Sequence, residues 1–303
     1  MKQERKIKTI KEYHRLRGFP APAHPLISLV DLETVPSNQT IHGITVDFYS
    51  ICIKRSSNIG IRYGQQSYDF DSGTMFFMAP GQVFSLFAKE SPDQAGWLLL
   101  IHPDFLWHTS LAQGIKRYDF FGYLVSEALF LSSKEEAILN GIIGNILQEC
   151  QTNLDHFSKQ IIISHLETLL NYSERFYHRQ FLTREKANHQ ILARLDKLLE
   201  DYFDQDDLIS KGLPSVQYVA DELNISTSYL GNFLRLLAGQ NTQQHIHEKI
   251  ISKAKEKLSV TNLSVSEIAY GLGFSHSQSF SKLFKVKTRL TPLKFRKSFC
   301  NAD

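Results

Sequence analysis

Two stretches in the last third of the chain repeat one layout, and that repeat limits the folds open to it. The first begins Ser215-Val216-Gln217-Tyr218-Val219-Ala220-Asp221-Glu222-Leu223-Asn224-Ile225-Ser226 and continues through Tyr229-Leu230 and Phe233-Leu234. The second begins Ser264-Val265-Ser266-Glu267-Ile268-Ala269-Tyr270-Gly271-Leu272-Gly273-Phe274-Ser275 and continues through Ser279-Phe280 and Leu283-Phe284. Each predicts a short helix, a tight turn and a second helix. Ser264 and Glu267 have the spacing of a capping box, in which two side chains satisfy orphan helix donors reciprocally. Val265, Ile268, Ala269 and Leu272 follow at helical spacing. Gly273 supplies the positive φ that ends a helix, Phe274 fills the angle, and Ser275 is the predicted cap of the next helix. In the first copy Asn224, the next best residue for a left-handed turn, stands for Gly273, Ile225 for Phe274, and Ser226 caps.

One such hairpin is equally at home in an all-α bundle. Two matched copies joined by a helix are the layout of paired helix-turn-helix units, each placing one helix in a DNA major groove. The joining helix is predicted from Thr242 to Leu258. Ile246, Ile250, Ile251, Ala254 and Leu258 share one face, and Lys249, Lys253, Lys255 and Lys257 lie elsewhere. It would span about 25 Å, the right order for two reading heads roughly 34 Å apart.

Ala269, Gly273-Phe274, Phe280, Phe284-Lys285, Thr291-Pro292 and Phe295-Arg296 resemble the C-terminal signature of AraC/XylS-type transcriptional regulators. The resemblance covers about residues 191–298. It implies a seven-helix domain with two helix-turn-helix units that binds promoter DNA and recruits or contacts RNA polymerase. Two residues depart from the pattern. Arg289 stands where the family usually has Gly, at a cost of about 1 kcal/mol if the left-handed turn is kept. Ile250 stands where a basic residue is common, which implies one contact fewer for the linking helix.

In each second helix, base contact falls to residues near the N-terminus and opposite the apolar face. In the first copy these are Thr227, Ser228, Gly231 and Asn232, with Arg235 further along; the resemblance implies contact at positions 228, 231 and 232. Asn232 suits an adenine edge. In the second copy they are Ser277, Gln278, Ser281 and Lys282. Gln278 has two open roles, base contact or a capping box with Ser275. Lys282 likewise suits guanine or phosphate. Lys285, Lys287 and Arg289 are read as phosphate contacts or solvated surface. Residues 191–239 carry four Lys/Arg against eight Asp/Glu, and residues 240–303 eleven against four. Because phosphate binding dominates DNA affinity, the second unit is expected to be the stronger anchor.

At 303 residues the chain has room for two domains. Leu26–Leu32, Ile44–Ile53, Ile59–Tyr63, Gln66–Phe70, Thr74–Met78, Gln82–Phe87 and Trp97–Ile101 are strand-sized and separated by turn residues, which suggests a barrel or sandwich. The run from Asp71 to Gln82 resembles a stretch of the cupin-like sensor barrels of such regulators. A metal-dependent cupin needs clustered ligands. His24, His42, His102 and His108 are scattered, and His245 and His247 point to different faces of a helix, so no metal site is expected. No phosphate loop or nucleophile constellation is present. The rival to a regulator is a cupin-type metalloenzyme with an appended DNA-binding tail. Ser133 and Glu136 suggest a capping box opening a helix to about Glu149, and a second helix is predicted from about Asp155 to Phe181. Their apolar stripes exceed what one barrel face requires, leaving dimerisation and simple packing both open.

The expected fold is α+β: an N-terminal cupin-like β-barrel with flanking helices, then an all-α domain with two helix-turn-helix units. The expected division is an arm or leader at 1–25, a sensor barrel at 26–131, a helical dimerisation segment at 132–182, a linker at 183–190 and a DNA-binding domain at 191–298. Residues 1–17 are basic, not a secretory leader, and no apolar run reaches membrane-span length. Cys52, Cys150 and Cys300 imply no disulfide framework. These features point to a cytoplasmic non-enzyme without cofactor. Its expected partners are double-stranded DNA, a second copy, RNA polymerase and a small-molecule effector of unknown chemistry; no membrane is expected.

Overall fold

The computed structural model describes residues 5–35, 40–54, 59–63, 66–68, 73–88, 95–124, 127–151, 157–183, 185–205 and 207–300. The chain forms two compact units, Met1–Thr183 and Arg184–Asp303.

The first unit begins with β1 (Arg5–Ile7) and α1 (Ile10–Arg17), followed by β2 (Ile27–Asp31), β3 (Ile41–Val46), β4 (Tyr49–Lys54), β5 (Ile59–Tyr63), β6 (Gln66–Tyr68), β7 (Thr74–Met78), β8 (Val83–Ala88) and β9 (Gly96–Ile101). After α2 (Leu111–Gly114) and β10 (Leu129–Phe130) come two long helices, α3 (Ser133–Gln151) and α4 (Ser158–Thr183). The strands make two five-stranded sheets, ordered β1-β3-β8-β5-β6 and β10-β7-β4-β9-β2. Ile44, Val46 and Phe84 of the first sheet and Cys52, Phe76, Met78, Leu98 and Leu100 of the second share one apolar core.

This is not the closed cupin-like barrel that the sequence suggests. Barrel closure needs a continuous ladder, and among the described residues none joins the sheets. The reason is local. The predicted single strand Ile44–Ile53 is divided at Asp47–Phe48, where the Asp47 N–H donates to the Ile7 carbonyl (3.0 Å). The halves, β3 and β4, therefore enter different sheets. Asp69 and Phe70 of one predicted strand, and Asp71 and Ser72 of the cupin-like run, lie outside the described residues.

Residues 5–17 form elements rather than an arm or leader. Thr9 and Glu12 close a capping box on α1, whose Ile10, Tyr13, His14 and Arg17 are buried. β1 pairs in parallel with β3.

β4 is the middle strand of its sheet and is buried on both faces. Ser50, Cys52 and Lys54 alternate with Ile51 and Ile53. The Ile51 face, with Met75 and Phe77, is covered by the helices: Ser173 of α4 donates to the Met75 thioether (3.8 Å). The Phe77 ring meets Phe120 at 4.3 Å and Tyr177 at 6.2 Å. α3 and α4 also pack on each other. Ile138 and Ile161 of the predicted stripes stay partly exposed, at 40% and 38%. The capping box of α3 sits one residue early, between Ser132 and Glu135, and Glu135 is also gripped by Arg179 of α4 (2.7 Å).

The second unit is helical: α5 (Glu185–Phe203), the single turn α6 (Leu208–Lys211), α7 (Val216–Leu223), α8 (Thr227–Ala238), α9 (Thr242–Val260), α10 (Val265–Gly271), α11 (Ser277–Thr288) and α12 (Pro292–Cys300). The predicted linker at 183–190 falls at the start of α5, where Asn188 is buried. Among the described residues no helix is long and apolar enough to cross a membrane.

Candidate nucleic-acid interface

The repeat seen in sequence is a repeat in hydrogen bonds. Ser215 caps α7 by accepting from the Tyr218 N–H, and Ser264 caps α10 by accepting from the Glu267 N–H, while the Ser264 N–H donates in return to the Glu267 carboxylate. At the first turn Asn224 is left-handed (φ 57°), and the Ile225 N–H donates to the Ala220 carbonyl (3.0 Å). At the second Gly273 has φ 86°, and the Phe274 N–H donates to the Ala269 carbonyl (3.0 Å). Ala220 and Ala269 are fully buried, so the helices close on a methyl-sized residue in both copies. Gly273 has a second constraint: a Cβ there would stand 2.6 Å from the Gly212 carbonyl oxygen.

α8 buries Tyr229, Leu230, Phe233 and Leu234. Thr227, Ser228, Gly231 and Asn232 are half-buried on its other side, and Arg235 is exposed. The Arg235 guanidinium donates to the Asn232 Oδ1 at 2.7 Å. Asn232 thus presents an oxygen already engaged, and the adenine contact foreseen for it requires Arg235 to let go or to share the edge.

α11 buries Phe280 and Phe284 within an aromatic row. Phe274 meets Phe280 at 5.4 Å, and Phe284 meets Phe295 of α12 at 5.4 Å. Gln278, Lys282 and Lys285 are exposed, while Ser277 and Ser281 are half-buried. The spacing of those three puts them on one stripe opposite the aromatic row. α11 starts one residue later than predicted. His276, not Ser275, is the N-cap, with no side-chain cap hydrogen bond. The capping box foreseen for Gln278 therefore does not form. The late start also makes His276 and Ser279 exposed at the same helix end. Sequence reasoning passed over both because it placed the cap on Ser275.

The departures resolve differently. Arg289 adopts the left-handed turn itself (φ 65°, ψ 0°), and its N–H donates to the Lys285 carbonyl (2.9 Å). Ile250 is fully buried, so a side chain at that position faces the core and no surface contact is lost there. Arg296, part of the resemblance, is structural: it donates to the carbonyls of Leu258 (3.2 Å) and Leu263 (2.5 Å), bolting α12 to the end of α9.

α9 has 19 residues, about 28 Å at helical rise, and packs against α8 as well as α10, α11 and α12. Its cations are unequal. Lys249 pairs with Asp196 at 2.8 Å and Lys253 with Asp204 at 2.7 Å, both on α5 or just beyond it. The Asp204 bond holds the Lys253 pKa above its ordinary value. Lys287 of α11 pairs with Glu248 (3.6 Å). Lys282 and Lys285 carry no such pair among the described residues, and both remain available to an anionic polymer.

Two of the histidines considered as metal ligands have local work. His24 accepts from the Leu26 N–H and His102 from the Asp104 N–H. The side chain of His42 lies outside the description.

A family model described as a helix-turn-helix domain matches residues 219–298. The chain is 35% identical over 86 residues to the Msm operon regulatory protein of Streptococcus mutans, covering 28% of this chain and 31% of that one. It is 33% identical over 107 residues to the transcriptional activator RhaS of an Enterobacter species, covering 34% and 36%. Both matches span well under two thirds of the relative's length. Among solved structures, the C-terminal domain of AraT, a response regulator from Geobacillus stearothermophilus, matches with 27% identity over 36% of this chain and 84% of that one, at a TM-score of 0.32. The family model spans both second helices and the rod between them, and this stretch of the chain is similar to a helix-turn-helix domain.

Proposed function

We propose that the protein is a sequence-specific DNA-binding transcriptional regulator. The observation that carries the reading is the pair of second helices, α8 and α11. Each buries an apolar face and leaves a polar stripe facing outward, and both dock on one continuous rod, α9. Thr227, Ser228, Gly231, Asn232 and Arg235 form the reading set of α8; Ser277, Gln278, Ser281, Lys282 and Lys285 form that of α11. The relatives named as an operon regulatory protein and as a transcriptional activator support the same role.

In this reading the two-sheet unit is the sensor, related to the cupin-like domains of such regulators. The partly exposed Ile138 and Ile161 on α3 and α4 mark where two copies meet. The DNA-bound protein contacts RNA polymerase in the cytoplasm. An effector acts by binding one presentation of the reading heads better than another.

The test is binding to genomic fragments across a salt series. A regulator retains a preferred site above background while affinity falls as salt rises. Equal binding to all fragments at every salt concentration overturns the proposal.

A further inference from the structure

Among the described residues β2 is the last strand of its sheet, so one of its edges has no neighbour in the ladder. A cavity of about 390 Å³ wraps that edge, walled by the segment after α1 and by the last turn of α3. The volume lies within the roughly 300–1,000 Å³ of small-ligand sites. Two side chains set its character. Asp31 of β2 and Trp97 of β9 are register partners in an antiparallel pair, so both leave the sheet on one face, with Cβ atoms about 4.5–5.5 Å apart. Both are half-buried and line the cavity. Asp31 Oδ1 accepts from the Glu33 N–H at 3.0 Å, which caps the short turn after β2. No cation pairs with that carboxylate among the described residues. A carboxylate drawn partly out of water without a counter-charge costs free energy, and a cation entering the cavity relieves that cost.

The rest of the wall favours the same sign of charge. Leu147, Cys150 and Gln151 come from the C-terminal end of α3. The last carbonyls of a helix lack intrahelical partners and give that end about half a negative charge, and no basic residue in the last turn offsets it. The Cys150 thiol is pushed up to about 11, first by burial and then by the Glu149 carboxylate, so it stays neutral. The two histidines of the wall add no positive charge. His24 Nδ1 accepts from the Leu26 N–H at 3.1 Å, which an imidazolium cannot do. His14 is held between the Pro20 carbonyl and the Ser28 hydroxyl, and burial keeps its pKa below the ordinary value. Among the described residues lining the cavity none is Lys or Arg, while Pro20, Pro22 and Leu147 give it apolar surface.

We propose that this cavity binds an organic ammonium ion with a hydrocarbon body, the ammonium lying between the Asp31 carboxylate and the Trp97 ring and the body against Pro20, Pro22 and Leu147. Carboxylate and ammonium make a charge-assisted bond, and Trp is the best aromatic partner for a cation. An anion of the same shape meets Asp31 and the negative end of α3, and an uncharged analogue gains from neither. The inference rests on reading the first unit as the effector-responsive one, and supplies the chemistry of that effector.

The experiment uses the full-length protein at neutral pH and a panel of defined probes: 2-phenylethylamine, its uncharged isostere 2-phenylethanol, the anion 3-phenylpropionate, and ammonium chloride. Calorimetric titration and thermal melting are the readouts, since a ligand of the native state raises the melting temperature. Phenylethylamine is expected to bind saturably and raise the melting temperature, with the other three inert. Asp31→Asn keeps a side chain that caps the turn and removes the charge, so it is expected to weaken phenylethylamine about tenfold or more. Trp97→Leu is expected to weaken it about fivefold or more, and Trp97→Phe less. Circular dichroism establishes that each variant folds; where Asp31→Asn does not, Trp97→Phe and the probe panel on the unaltered protein decide. The proposal is overturned if phenylethanol, phenylpropionate or ammonium chloride matches phenylethylamine, if phenylethylamine does not bind, or if folded Asp31→Asn binds it undiminished. DNA binding is measured separately on the same preparation. A chain with a preferred DNA site but no ammonium binding refutes this inference alone; ammonium binding without a preferred site refutes the regulatory reading alone.

Discussion

Lys282 and Lys285 are neighbours on one exposed stripe, yet they are expected to fail differently. If Lys282 reads a base, Lys282→Ala costs about 1–3 kcal/mol of binding and relaxes preference at one position; Lys285→Ala weakens all sequences alike and lowers the salt slope by about one. Binding-site selection with each variant, together with a salt titration, separates the two. Arg289 makes a stability prediction. It holds φ 65°, which glycine adopts without a Cβ penalty, so Arg289→Gly should stabilise the second unit by about 1 kcal/mol in urea melts. Sequence alone foretold that conflict but not its outcome, because propensity states what a conformation costs and not whether the surrounding helices impose it. Ile250 misled for the opposite reason: comparison with a pattern suggested a missing cation, while the helical period of its neighbours already placed it inward. The Arg235 bond to Asn232 was invisible, since both residues are common on solvated helix faces.

At the level of elements, capping chemistry was the most legible signal. Ser215, Ser226 and Ser264 all cap as their spacing predicts, and the Thr9–Glu12 box, overlooked among basic residues, would have revealed α1. Strand pairing was less legible, because nothing in the run Ile44–Ile53 announces that Asp47 will anchor to Ile7. The box on α10 offers a pH test. Hydrogen bonds from Ser264, first its hydroxyl and then its backbone N–H, hold the Glu267 carboxyl below its ordinary value of 4.5. A carboxylate with a lowered folded pKa adds stability that is fully present above the unfolded value and lost as pH falls through the folded one. Ser264→Ala should cost about 1 kcal/mol at neutral pH and flatten the acid limb of the stability curve below pH 4.5. Thermal melts from pH 3 to 7 would check both, and an unchanged acid limb would refute the linkage.

For the whole molecule, the division into Met1–Thr183 and Arg184–Asp303 gives each unit its own core, as independently folding domains have. A fragment starting at Arg184 should fold alone and keep a measurable site preference. Circular dichroism and fluorescence anisotropy test this, and a disordered fragment would refute it. The α9 rod carries a further consequence. It runs from Thr242 to Val260 without glycine or proline, so it holds azimuth as well as distance. One extra base pair between the two contacted stretches of a promoter swings the farther one about 35° around the duplex. A hingeless spacer cannot follow that rotation, so such promoters should lose occupancy in phase with the double helix and regain it only after a complete revolution, if the added length can still be spanned.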